Sequence, residues 1–124
     1  MTERPRPLVL IVEDDPDLLE LERDALAEKG YRVATAANGE EGLERIAEEQ
    51  PQLVLLDMRM PVMDGWTFAR MLRDRYGRRI PLAVITAAED SKLRADEIGA
   101  DADLGKPFEM RELFELVADT IGDP

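Results

Sequence analysis

Three short stretches of this chain, residues 8–12, 53–56 and 82–85, are wholly apolar, and each is followed by a longer segment with apolar residues on one helical face. Unbroken apolar runs of this length are the pattern of strands covered on both faces. Such strands need helices above and below them, and strand–helix alternation supplies these through right-handed crossovers to a parallel sheet. The expected fold class is α/β, a three-layer sandwich of five strand–helix repeats with the three apolar runs at its centre. Two further strands complete the count: a mixed one over 31–36, expected at an edge, and a short one near 102–104.

The helices announce their own ends. Asp15 is a good N-cap and Pro16 suits the first helical position, with Leu18, Leu21 and Ala25 sharing a face with Leu19 and Leu26 and Gly30 as terminator. Asn38-Gly39 opens a helix carrying Leu43, Ile46 and Ala47, which must end before Pro51. Asp64 is placed to cap a third helix over about 65–75. The segment 89–98 reads as a weaker helix with a thin apolar face. The last, over 108–121, is strongly amphipathic: Met110, Phe114, Val117 and Ile121 align, with Leu113 and Leu116 beside them. Ahead of the first strand, residues 1–7 carry two prolines and two arginines and are expected to form a flexible arm. The domain then spans 8–121, and 122–124 form a tail.

Composition removes whole classes of chemistry. The chain of 124 residues contains no Cys and no His, so it has no thiol nucleophile, zinc site, imidazole base or phosphohistidine. Ser91 is its only serine and lacks a histidine partner for a triad. With 16 basic and 28 acidic side chains the formal charge is −12, which argues against direct nucleic-acid binding, since that needs a basic footprint. No apolar run approaches the ~20 residues of a membrane span, and no signal peptide is evident. A cytoplasmic location without membrane insertion is the expectation. The remaining chemistry is that of carboxylates.

In an open parallel sheet, ligands bind outside the carboxyl ends of the strands. Glu13, Asp14 and Asp15 follow the first apolar run, Asp57 the second and Thr86 the third, while Lys106-Pro107 follows the short fifth strand. Each is unremarkable alone, since an acid after a strand is often a helix cap or a favourable charge at a helix start. Glu13 and Asp14 could serve so, but Asp15-Pro16 already fills that role. Two like charges ~4 Å apart repel by about 1–4 kcal/mol at effective dielectrics of 80 to 20. Converging carboxylates therefore call for a cation, and an oxygen-only donor set suits Mg²⁺. A nucleophilic aspartate surrounded by a metal, an ammonium and a hydroxyl is an arrangement for receiving a phosphoryl group.

The stretches LVLIVEDDPDLLE, LVLLDMRMPVMDG, AVITA and GADADLGKPF together resemble the receiver domain of two-component response regulators, over essentially all of residues 8–121. The resemblance implies a flavodoxin-like sheet in the order 2-1-3-4-5. It implies that Asp57 is the phosphoacceptor, phosphorylated by a sensor histidine kinase or a histidine phosphotransfer protein. It further implies that Asp14 and Asp57 hold Mg²⁺ through side chains, Arg59 through its backbone carbonyl, and Glu13 mostly through a metal-bound water. Thr86 would follow the phosphoryl group on activation and Lys106 would pair with it. Pro107 would follow a cis peptide. No cofactor besides Mg²⁺ is implied. The chain would assist its own phosphorylation and dephosphorylation without being an enzyme on external substrates, and would act on a downstream protein target as a stand-alone regulator. The alternatives are the receiver portion of a longer regulator or hybrid kinase, and a phosphorylation-independent docking module. An aspartate-dependent phosphohydrolase is disfavoured because the position of its usual second aspartate, two after Asp57, is Arg59.

The chain departs from the family at Asp103, where receivers usually carry an aromatic residue that turns inward on activation. A carboxylate is costly to desolvate and should stay in water, so the expectation is intact phosphorylation chemistry with an altered output switch. Gly105 is expected to loosen the same strand. Trp66 should pack near the start of the third helix. The cluster Arg70, Arg73, Arg75, Arg78 and Arg79 reads either as a solvated helix end or as a docking patch for an acidic partner.

Overall fold

The computed structural model describes residues 6–58 and 63–124. Ten elements alternate along the chain: β1 (Leu8–Val12), α1 (Pro16–Lys29), β2 (Arg32–Ala36), α2 (Gly39–Glu48), β3 (Leu53–Asp57), α3 (Gly65–Tyr76), β4 (Leu82–Ala87), α4 (Ser91–Ile98), β5 (Ala102–Lys106) and α5 (Met110–Ile121). The strands form one parallel sheet in the order β2-β1-β3-β4-β5. This is the flavodoxin-like order, with the mixed strand β2 at one edge and β5 at the other.

The alternation of side chains along each strand separates two cores. Leu10 and Val12 of β1, Val54 and Leu56 of β3, and Leu82 and Val84 of β4 pack with Leu43, Ile46, Phe68 and Leu72 from α2 and α3. Val9, Ile11, Leu53, Leu55, Ala83 and Ile85 face the other way, onto Leu26 of α1 and Leu113 and Val117 of α5. Every residue of β1 and β3 is buried, as two-sided coverage requires. The helix ends follow local chemistry. Asp15, Asn38 and Asp64 accept from first-turn N–H groups of α1, α2 and α3, and Gly30 closes α1 in the left-handed conformation at φ 110°.

Several local expectations need correction. On α1 the side facing the sheet runs through Leu19, Glu22 and Leu26, while Leu21 is 54% exposed. The face expected from leucine positions alone was rotated, because leucines stand on both sides of this helix and only packing chooses between them. Ala47 of α2 is also exposed. Residues 1–5 of the expected arm lie outside the described residues; at its inner end the Pro7 carbonyl accepts from Arg32 N–H at 3.0 Å and the Arg6 carbonyl from Arg32 Nε at 3.0 Å, which attaches these two residues to β2. At the other terminus the Gly122 carbonyl accepts from the Tyr31 hydroxyl at 2.8 Å.

Candidate functional site

The carboxyl ends of β1, β3, β4 and β5 open into one pocket of about 670 Å³ whose polar lining includes Glu13, Asp14, Asp57, Thr86 and Lys106. Parallel register explains the convergence. Val12 pairs with Leu56, Asp57 with Ile85, and Thr86 with Gly105, so the residues that end each strand lie side by side along one edge. Asp57 and Thr86 are 6% and 5% exposed and Glu13 only 2%, whereas Asp14 faces solvent. The carboxylate oxygens of Glu13, Asp14 and Asp57 come within 4.8 Å of one another.

Lys106 holds this acidic group together from the other side of the pocket. Its Nζ donates to Glu13 Oε1 at 2.9 Å and lies 3.6 Å from Asp57 Oδ2. The second oxygen of Glu13 accepts from Asp15 N–H at 3.2 Å. Burial, and then a hydrogen bond to Asp57, push the Glu13 carboxyl up to about 8 in spite of the nearby ammonium. Burial alone would lower the pKa of Lys106, but its hydrogen bond to Glu13 and the charges of Asp57 and Glu13 leave it raised. The ammonium therefore stays charged, and Glu13 retains a proton that a divalent cation could displace. Three oxygen donors without nitrogen or sulfur fit Mg²⁺, and one lysine cannot neutralise them all. Arg59, expected to offer its carbonyl, lies outside the described residues.

The remaining expectations fall out unevenly. Asp15 is a cap, accepting from Asp17 N–H at 3.0 Å, and Asp64 likewise caps α3, accepting from Thr67 N–H at 2.8 Å. The Lys106-Pro107 peptide is cis. Trp66 lies against α4, where its Nε1 donates to Glu97 at 3.3 Å and Arg94 sits 5.2 Å from its ring centroid. Of the arginine cluster, Arg73 donates to the carbonyls of Ile80 and Gly99 at 3.1 and 3.2 Å, and Arg78 to Gly99 at 3.3 Å. These two side chains tie the end of α3 to the turn before β5.

Three features around β5 and α1 were not anticipated from the sequence. Asp103 is exposed as expected, but it accepts from the Ser91 hydroxyl at 2.9 Å. Gly105 does not loosen the strand: a Cβ there would stand 2.4 Å from the Ala88 Cα, so glycine is what allows the β4–α4 connection to lie directly on β5. Glu22 is 1% exposed and neither carboxylate oxygen has a hydrogen-bond partner among the described residues. Burial raises its pKa to about 7, moderated by the charge of Lys106. The available signal was its position four residues from both Leu18 and Leu26, on the helical stripe those leucines define.

Comparison with known proteins agrees with this geometry. The family model for the response regulator receiver domain matches residues 9–118. Among curated proteins, the transcriptional regulatory protein PrrA of Mycobacterium bovis is 38% identical over 113 residues, covering 90% of this chain and 48% of PrrA. The response regulator MprA of Mycolicibacterium vanbaalenii is 39% identical over 108 residues, covering 86% of this chain and 46% of MprA. The chain thus spans about half the length of these curated relatives. Among solved structures, the receiver domain of a sensor histidine kinase from Pseudomonas aeruginosa, described with a magnesium ion coordinated in its active site cleft, superposes with a TM-score of 0.85 at 30% identity, over 96% of this chain and 100% of that one. The chemotaxis protein CheY4 of Vibrio cholerae gives a TM-score of 0.85 at 27% identity, over 94% of this chain and 100% of that one.

Proposed function

The chain belongs to the response regulator receiver domains, and from that premise we propose that it is a phosphorylation switch in which Asp57 accepts a phosphoryl group from a phosphohistidine of a sensor kinase or phosphotransfer protein. One observation carries the reading: the Lys106 ammonium reaches both Glu13 and Asp57 in a pocket that Thr86 also lines. An Asp57 carboxylate oxygen attacks phosphorus, a P–O bond forms, and the N–P bond of the phosphohistidine breaks. The electron pair passes to the imidazole nitrogen, which takes up a proton. Lys106 offers its charge to a phosphoryl oxygen and Thr86 a hydroxyl donor. Glu13, Asp14 and Asp57 would hold Mg²⁺, which when bound supplies neutralising charge for the transferring group. Dephosphorylation reverses the roles: water attacks phosphorus and the Asp57 carboxylate leaves. Glu13, Asp14, Thr86 and Lys106 thus assist both half-reactions, and the chain contributes no turnover on other substrates.

The pocket has an apolar rim formed by Leu18, Leu21, Phe108 and Met110, and Leu21 is among the exposed large hydrophobic residues. A rim of this kind suits a partner that must exclude water while presenting its histidine to Asp57. Among the described residues no helix is long and apolar enough to cross a membrane, and a cytoplasmic location is part of the proposed reading. Output then passes either to a separate protein or to a further domain. The doubled length of the PrrA and MprA relatives favours the receiver portion of a longer regulator over a stand-alone one.

The test is intact-mass measurement after treatment with acetyl phosphate, with and without Mg²⁺, on wild type and Asp57→Asn. Wild type should gain one phosphoryl group only with Mg²⁺, and Asp57→Asn none. A wild-type chain that gains no mass would instead favour the docking-module reading, and turnover of a generic phosphate ester would favour a hydrolase.

A further inference from the structure

Between the two segments that carry Thr86 and Lys106 the chain forms a small clasp. Ala88, two residues after Thr86, rests on Gly105, and its N–H donates to the Lys106 carbonyl at 3.2 Å. Three residues further on, the Ser91 hydroxyl at the start of α4 donates to Asp103 Oδ2 at 2.9 Å and lies 3.4 Å from the Ala88 carbonyl. Ser91 is buried and Asp103 exposed, so the bond closes over the outer side of the connection. The rest of α4 is held by Ala95 and Ile98 in the core and by the contacts of Arg94 and Glu97 with Trp66, so the Ser91 bond is the polar fastening of its first turn to β5. The helix has eight residues, its buried positions are Ser91 and Ala95, and Asp90 at its N-cap makes no side-chain capping bond. Asp103 and Thr86 lie on adjacent strands, and Thr86 pairs with Gly105 in register.

We propose that the Ser91–Asp103 hydrogen bond is a latch that holds α4 against β5 while Asp57 is unmodified, and that it opens when Thr86 and Lys106 are drawn to a phosphoryl group. The inference rests on the phosphoacceptor reading above. Thr86 and Lys106 bracket the clasp, so pulling both toward Asp57 moves the two walls that the latch joins. Opening costs the hydrogen bond, and by linkage whatever weakens the latch must strengthen binding at Asp57. An ordinary net hydrogen bond predicts about a fivefold effect. Trp66 is a reporter already in place, because Arg94 and Glu97 of α4 hold its ring and its Nε1.

The test is titration with beryllofluoride in the presence of Mg²⁺, a non-covalent phosphoryl mimic, followed by calorimetry and by Trp66 fluorescence. Ser91→Ala keeps the charge of Asp103 and removes the donor. Asp103→Ala removes the acceptor, and Asp103→Asn keeps an acceptor without the charge. The expected result is about fivefold tighter binding for Ser91→Ala and for Asp103→Ala. Asp103→Asn should stay within about twofold of wild type, and the double variant Ser91→Ala/Asp103→Ala should bind no tighter than either single one. The starting Trp66 emission of the two alanine variants should move toward that of the beryllofluoride-bound wild type. Unchanged or weaker binding in Ser91→Ala, or tightening in Asp103→Asn equal to that in Asp103→Ala, would overturn the latch, the second by assigning the effect to charge. Failure of wild type to bind beryllofluoride would instead strike at the phosphoacceptor reading itself.

Discussion

Strands β1 and β5 deliver the two halves of one hydrogen-bonded pair, Glu13 and Lys106, from very different foundations. All five residues of β1 are buried, and the strand is flanked by β2 and β3. None of the five residues of β5 is fully buried, and the strand has a neighbour on one side only. The acidic half of the pocket is therefore mounted on the most constrained part of the sheet, and the cationic half on an edge that can shift. That division suits a switch. Carboxylates held close together at a cost need a rigid support, whereas a group that responds to the phosphoryl charge must be able to follow it at little cost.

The sharpest way to break this comparison is to cut equivalent volume from each side. Leu10→Ala, in the fully buried strand β1, should cost about 2–5 kcal/mol of unfolding free energy in urea titration. Leu104→Ala, on half-buried β5, should cost less than half as much. Equal losses would mean that the edge is as tightly built as the centre. Next in size is Gly105→Ala, whose new methyl meets the backbone of Ala88. Forcing the connection outward should cost about 1–3 kcal/mol and shift Trp66 emission by moving α4.

The pH response is gentler, spread over several units. Glu13 and Glu22 titrate at about 8 and about 7 in the folded chain, against 4.5 for an ordinary glutamate. Between those values the folded state binds more protons than the unfolded one, so stability is fully present below about 4.5 and falls as pH rises toward 7 to 8. Urea midpoints without metal should decline across this window. Glu22→Gln should remove the Glu22 portion of the decline, which ends near pH 7. Added Mg²⁺ should recover stability most at the alkaline end, where no proton has to be displaced from Glu13. A flat profile from pH 5 to 8 would contradict the assigned burial of both carboxyls. The smallest expected change in stability is that of Leu21→Glu, within about 0.5 kcal/mol because the side chain is exposed. It should nevertheless slow phosphoryl transfer from a histidine-bearing protein several-fold and leave transfer from acetyl phosphate unchanged, a split read by intact mass.

By itself the sequence determined the features that are written in neighbouring residues. Wholly apolar runs specified the central strands, and Asp15-Pro16, Asn38-Gly39 and Asp64 set helix starts, because capping and two-sided burial are decided within a few positions. It also placed Asp57, Thr86 and Lys106 at strand ends, and a parallel sheet puts strand ends on one edge. Tertiary structure alone decided which side of α1 turns inward, burying Glu22 and exposing Leu21. It also decided that Gly105 serves a close approach, that Ser91 bonds to Asp103, and that Lys106 reaches Glu13, 93 positions away in sequence. These depend on which surfaces meet across the sheet, and helical spacing or residue type cannot encode that when more than one face of a helix is apolar or when the partner arrives from a distant strand.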